Sequence, residues 1–366
     1  MERICPLLAN NECAPEVDAQ QTSGKSMAPP NNQLTAGPQN TNIGQAGKKP
    51  NLKSPRLDSA PELEKVASGA RTIKMGDKGR GPLLINQCLY DLGYNMTYFG
   101  VIDEFTSETM VRLKEYQKDK GVPVTGILDQ ATVKTLDQRF KKVKLSPKML
   151  NKSWSPKHVK SILEPWSPKT IQTLQSGVNL YSVDEIYFED EVWTGSGWVK
   201  EKFNAGGGFD TRSNTITFFN DTNEEVASTL YHEVLHKNKP RKGQANTMER
   251  ETYAYQAGEE FNIGMGLDGH PSIRGKNPNG DEVADKAKVQ AYIKKNYPGA
   301  DTSAPTTTEA SSPSDEVIGK GSKDGTVRVR KGGRLKIIER PAGKGERIVG
   351  PKVEKNKKKI NPKVWK

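Results

Sequence analysis

Cysteine is scarce. The three residues in 366, Cys5, Cys13 and Cys88, have spacings that fit neither a disulfide framework nor a zinc site. Apolar residues make up only 33% and the mean hydropathy is −0.76, too polar for the whole length to pack as one core. No apolar run approaches the ~20 residues of a membrane-spanning helix, which excludes an integral membrane protein of that kind. Aromatic residues are missing from the ends: none precedes Tyr90, and only Trp365 follows Tyr297. The middle therefore reads as folded and both ends as disordered.

Negative charge is lacking in one stretch. Residues 317–366 hold 17 Lys/Arg against 4 Asp/Glu, so the net charge of +12 belongs to that segment and the rest is nearly neutral. The start lacks a secretory signal, because Cys5-Pro6 interrupts its short apolar stretch. Synthesis in a reducing cytoplasm is expected. Residues 1–68, rich in Asn, Gln, Pro, Ser and Gly, are expected to be a disordered leader.

Helical periodicity begins after the turn Gly76-Asp-Lys-Gly79. Leu84, Cys88, Leu89 and Leu92 recur at helical spacing before Gly93. A second helix is expected over about 107–120, with Gly121 as its stop, and a third over about 130–140. Gly100-Val-Ile-Asp103-Glu-Phe-Thr106 and Gly126-Ile-Leu-Asp129-Gln-Ala-Thr132 repeat each other ahead of the last two, with Asp or Thr suited to cap a helix. This pattern over 73–140 resembles the three-helix peptidoglycan-binding-like domain. The resemblance implies a module that binds cell-wall peptides or glycans, or that serves as a spacer. Residues 141–176 repeat Ser-Pro-Lys at Ser146, Ser155 and Ser167, twice after tryptophan, and read as a connector of short helices starting on serine caps. His158 within it reads as a surface or packing residue.

Residues 177–298 carry the chemistry. Two stretches, 183–189 and 214–220, read as strands, and Gly206-Gly-Gly208 as a flexible loop between them. Thr222 and Glu225 have capping-box spacing ahead of a helix that bears His232-Glu233-Val-Leu-His236. Histidines four apart lie one turn apart on one face, so both imidazoles can reach one metal ion, with Glu233 beside them as general base. Zn²⁺ suits such ligands.

A strand followed by a capped helix with this motif resembles the zincin metallopeptidases, in which that strand edges the cleft and binds extended substrate. Lys239 and Lys242 stand where the metzincin pattern has Gly and a third His, which excludes that subfamily. Glu251-Thr-Tyr-Ala254-Tyr255 resembles the Glu-x-x-Ala-Tyr of glutamate-zincins and so implies Glu251 as third ligand; Glu249 and His270 stay open as alternatives. Tyr255, one turn beyond Glu251, is the candidate donor to an oxyanion, with Tyr253 and His270 as further candidates.

Residues 299–366 read as a disordered basic tail with a β-hairpin around Gly332-Gly333. Wall polymers, anionic lipid and nucleic acid are all conceivable electrostatic partners. With no aromatic among the charges before Trp365, nucleic acid is not expected. The expected architecture is thus α+β: a small three-helix module plus a zincin-like α+β domain between disordered ends. The expected function is a zinc metallopeptidase, with peptides or proteins as substrates and peptidoglycan as a partner. Reaching a wall without a signal implies export by a secretion or contractile injection apparatus, with the leader as loading tag, as for a delivered effector or toxin. The competing expectation is a structural or adaptor component of such a particle with a non-catalytic zinc site.

Overall fold

The computed structural model describes residues 52–146, 148–204, 207–241, 247–277, 280–296, 316–320, 326–330, 337–342, 347–348 and 352–366. Within these, the first correction concerns the leader. Residues 52–68 belong to the core: Leu52, Leu57 and Leu63 are buried, and helix α1 (Pro61–Ala67) starts on a proline in its first turn. The earlier part of the expected leader lies outside the described residues.

Three helices follow where the periodicity places them: α2 (Arg80–Asp91), α3 (Ser107–Lys120) and α4 (Gln130–Arg139). The two repeated turns solve capping differently. In the first, Thr106 accepts from the Thr109 N–H; in the second, Asp129 accepts from the Thr132 N–H. Gly121 ends α3 in the left-handed region, at φ 66°. Serine caps with proline in the first turn start α5 (Pro156–Leu163) and α6 (Pro168–Ser176), through Ser155 and Ser167. Ser146 starts no helix in the described residues. His158 packs locally, its Nδ1 3.1 Å from the Ser155 hydroxyl.

Strands β1 (Asn179–Val183), β2 (Glu185–Trp193), β3 (Trp198–Asn204), β4 (Gly207–Asp210) and β5 (Thr215–Phe219) precede α7 (Asn223–Asn238) and α8 (Thr247–Met265). A hairpin of β6 (Arg274–Lys276) and β7 (Glu282–Ala284) then leads to α9 (Lys286–Asn296). Towards the C-terminal end come β8 (Glu316–Lys320), β9 (Thr326–Arg330), β10 (Ile337–Pro341), β11 (Arg347–Ile348), β12 (Lys352–Lys355) and β13 (Lys358–Ile360).

The central sheet has the order β13-β1-β5-β4. Only its inner pair, β1 with β5, is parallel, and Leu180 sits in register with Ile216 on one side and Ile360 on the other. A second sheet is built on β2, flanked by β3 on one side and by β11 and β12 on the other. The expected hairpin exists as antiparallel β9 and β10, though its Gly332-Gly333 turn lies outside the described residues.

Two more expectations need correcting. The edge of the central sheet beside α7 is β4, not β5, and Gly207 and Gly208 are strand residues, not a loop. A side chain at Gly207 would meet the Thr229 methyl of α7 at 2.6 Å and the Thr217 carbonyl at 2.9 Å, so glycine lets the strand lie close against the helix. The C-terminal end is also no tail over 352–366. There β12 and β13 complete two sheets, and Trp365, fully buried, docks against α5 and α6.

One hydrophobic core runs from Leu52 and Leu84 through Leu113, Trp166 and Leu230 to Trp365. The helical module and the α7–α8 region are therefore not separate cores joined by a linker. Trp166, at 1% exposure, stacks edge-on against Phe140 and Phe261, and Gly264 of α8 leaves it room: a Cβ there would stand 2.2 Å from the indole. Among the described residues no helix is long and apolar enough to cross a membrane.

Candidate metal centre

Local sequence fixes how α7 starts. The Thr222 hydroxyl accepts from the Glu225 N–H, Glu224 and Glu225 face the positive end of the helix, and the Asn223 side chain donates to the Met149 carbonyl. Val226, Leu230 and Val234 bury one side. The opposite side carries His232 and His236 one turn apart. Their Nε2 atoms lie 3.0 Å from each other and 3.6 and 3.4 Å from Oε2 of Glu251 on α8.

This geometry fits a metal ion. Bonds of 2.0–2.1 Å in a tetrahedron place ligand atoms about 3.3 Å apart, and the three separations bracket that value. Oε2 of Glu251 is buried and has no hydrogen-bond partner, although both imidazoles face it. A donor set of two neutral imidazoles and one carboxylate suits zinc and would leave one tetrahedral position open.

The charges are already poised. Burial works against ionisation of Glu251, but His236 and His232 hold its carboxyl far below the usual range. For His236, burial opposes the charge, yet Glu251 and then Glu233 raise its pKa above the ordinary imidazole value. A proton on His236 would compete with a metal ion held here, so the affinity of such a site for zinc would fall as pH drops through that raised pKa, by about tenfold per unit for one displaced proton. Glu251 stays ionised over the same window and adds no slope. A chelator-competition titration between pH 8 and 6 checks this; a flat profile would contradict it.

Glu233 is almost fully buried, at 1% exposure. Thr229, Glu233 and Lys237 succeed one another at four-residue intervals on one face of α7. Strand β4 touches both outer members: Gly207 abuts Thr229, and the Lys237 ammonium lies 5.9 Å from the Phe209 ring. Glu233 thus occupies the stretch of helix along which the edge strand runs.

The other candidates separate clearly. Glu249 is exposed, two residues before Glu251 on α8. Tyr255 stands edge-on to His232, ring centres 4.8 Å apart. Tyr253 faces away from the metal side: burial, then Tyr231 and Asp91, push its phenol well above the ordinary range. His270 is outside the cluster of ligand atoms but close to it, 5.7 Å from the rings of both Tyr255 and Tyr292. Its backbone is pinned, since buried Glu259 accepts the His270 N–H at 2.9 Å and is itself ion-paired with Arg274. Gly269, at φ +52°, lets that loop approach Glu259, where a Cβ would come within 2.8 Å.

Sequence reading missed Tyr292, Glu259 and Arg274 because nothing in their spacing points at a histidine elsewhere. It also missed a buried polar cluster behind the centre. Arg56 donates to Asp91 at 2.8 Å and to the Tyr231 hydroxyl at 3.1 Å; Tyr231 and Ser167 each donate to Asp91 at 2.9 Å. Glu260 of α8 pairs with Arg80 and lies 3.9 Å from Arg56.

Comparison with known proteins bears on the module. Residues 80–136 match the family described as "Putative peptidoglycan binding domain". In searches of curated proteins and of solved structures, nothing matches this chain. The match supports the peptidoglycan-binding-like helical domain expected within 73–140, and such a domain fits association with a cell wall.

Proposed function

We propose that the chain is a zinc-dependent metallopeptidase that cleaves cell-wall peptides or proteins, brought to its substrate by the helical module. The observation that carries this reading is the convergence of His232, His236 and the orphaned Glu251 oxygen at tetrahedral ligand spacing, with Glu233 buried beside them. His232, His236 and Glu251 would hold the ion. When bound, zinc supplies Lewis-acid polarisation of the scissile carbonyl and makes water acidic enough to attack near neutral pH.

The remaining work falls to this chain's own groups. Glu233 takes the proton of the attacking water and returns it to the leaving amine. Tyr255, beside His232, donates to the oxygen on which negative charge develops. Strand β4, at the edge of the central sheet, offers backbone hydrogen bonds to an extended peptide, which would lie along Glu233's stretch of α7.

The test is to incubate the zinc-loaded full chain with purified peptidoglycan and, separately, with a denatured proteome, and to read the products by mass spectrometry. New peptide termini that vanish with chelator are expected in at least one of the two. A metal-free wild type that cuts neither would leave the module as the functional part and favour an adaptor.

A further inference from the structure

We infer that the helical module and the arm before it are positioning elements of the metal centre, with Arg56 and Asp91 as the residues that align α7 and α8. This inference rests on the metal-centre reading above. The centre is shared between two helices: α7 contributes both imidazoles and α8 the carboxylate. Its geometry therefore depends on how those helices are held against each other. Each has a polar anchor on the face turned away from the metal. On α7 it is Tyr231, next to His232 in sequence; on α8 it is Glu260, nine residues beyond Glu251. Both anchors meet the same cation. Arg56 donates to the Tyr231 hydroxyl, and its Nε lies 3.9 Å from Glu260, while Arg80 of α2 pairs with Glu260 from the module side.

Asp91, at the end of α2, closes the set by accepting from Arg56, Tyr231 and Ser167. Arg56, Asp91 and Tyr231 are fully buried, and the Arg56 guanidinium sits in the corner made by the edge-on Phe140 and Trp166 rings, 4.7 and 4.2 Å from their centres. A buried ionic cluster adds little net stability compared with an apolar core, but it fixes one arrangement of the elements it joins. The module grips the end of α7 as well. The Val101 N–H donates to the Pro240 carbonyl at 2.6 Å, just past the left-handed Lys239 that terminates the helix. A wall-binding domain that served only as an anchor would have no reason to bury a charge against the residue preceding a metal ligand.

The experiment measures zinc affinity of the full chain by chelator competition, together with the visible spectrum of its cobalt(II) form, in the wild type, Tyr231→Phe, Asp91→Asn and Arg56→Lys. Tyr231→Phe removes one hydroxyl and leaves the packing intact, so it keeps the test valid if the other two fail to fold. The expected result for Tyr231→Phe is zinc affinity lowered about tenfold and an altered cobalt spectrum, at unchanged far-ultraviolet circular dichroism. Lower thermal stability with wild-type affinity and spectrum would overturn the inference, since a purely structural role moves only the first. A wild type that binds neither ion would instead remove the metal centre itself, and this inference with it.

Discussion

On the proposed peptidase reading, Glu233→Gln is expected to lower kcat/KM on a cleaved peptide by about 10²–10⁴-fold, the usual contribution of a positioned general base. Bound zinc should remain at the wild-type level. The substitution is nearly isosteric, and Glu233 is not among the three converging ligands, so metal binding and proton transfer are separable at this position. Glu251→Gln gives the complementary result. It removes the only negative charge among the ligand atoms. Because loss of a mere partner to a ligand costs 10–100-fold in affinity, loss of this ligand should cost on the order of 100-fold or more. Metal content by elemental analysis and turnover on one peptide, measured on both variants, give two distinct patterns. Equal loss of zinc in both would show that Glu233 is itself a ligand. Full activity in Glu233→Gln would remove it from the chemistry.

Trp365→Ala is expected to destabilise the fold by about 3–5 kcal/mol, the range for a large aromatic truncated in a core, which amounts to roughly 4–7 °C in Tm for a chain of this size. Trp365 has no exposed surface, and its carbonyl accepts from Gln175 at 3.0 Å. The indole N–H has no hydrogen-bond partner, so no polar interaction is lost with it and the cavity dominates the cost. Removing residues 358–366 should do more, because it also strips β13 from β1 and uncovers Leu180 beside Ile360. Thermal denaturation followed by circular dichroism checks both. A Tm shift under 2 °C for Trp365→Ala would mean that the segment is not part of the folding unit.

These outcomes mark where the sequence was readable. The module's helices and α7 announce themselves through local signals: apolar residues at helical spacing, Thr106, Asp129 and Thr222 as caps, Gly121 as a stop. The two histidines are legible for the same reason, since their partner is one turn away. Glu251 was reachable only through a family resemblance. What stayed hidden is non-local. Arg56 lies in a Pro- and Ser-rich stretch that reads as leader, and its partners sit 35 and 175 residues away. Strand β13 is a lysine run broken by one isoleucine, so its charge suggested a solvated tail; in the sheet, Lys358 and Lys359 are exposed while Ile360 faces the core. Strand β4 was mistaken for a loop because three glycines carry no strand propensity. There the absence of side chains is what admits the strand against Thr229.

The stretch between α4 and α5 has a consequence for how such a protein would work along a polymer. It is tied down near both ends: the Val143 N–H donates to the Gly264 carbonyl, and Trp154 donates through its indole to Asn220 at 2.9 Å. A catalytic domain on a loose tether can sweep every bond within its radius once its anchor has landed. Were the module to bind a wall polymer and the metal centre to cut it, footing and blade would move together on one shared core, and each landing would present a single bond at a set offset. Cuts would be spaced like marks on a ruler, and the next one would require letting go.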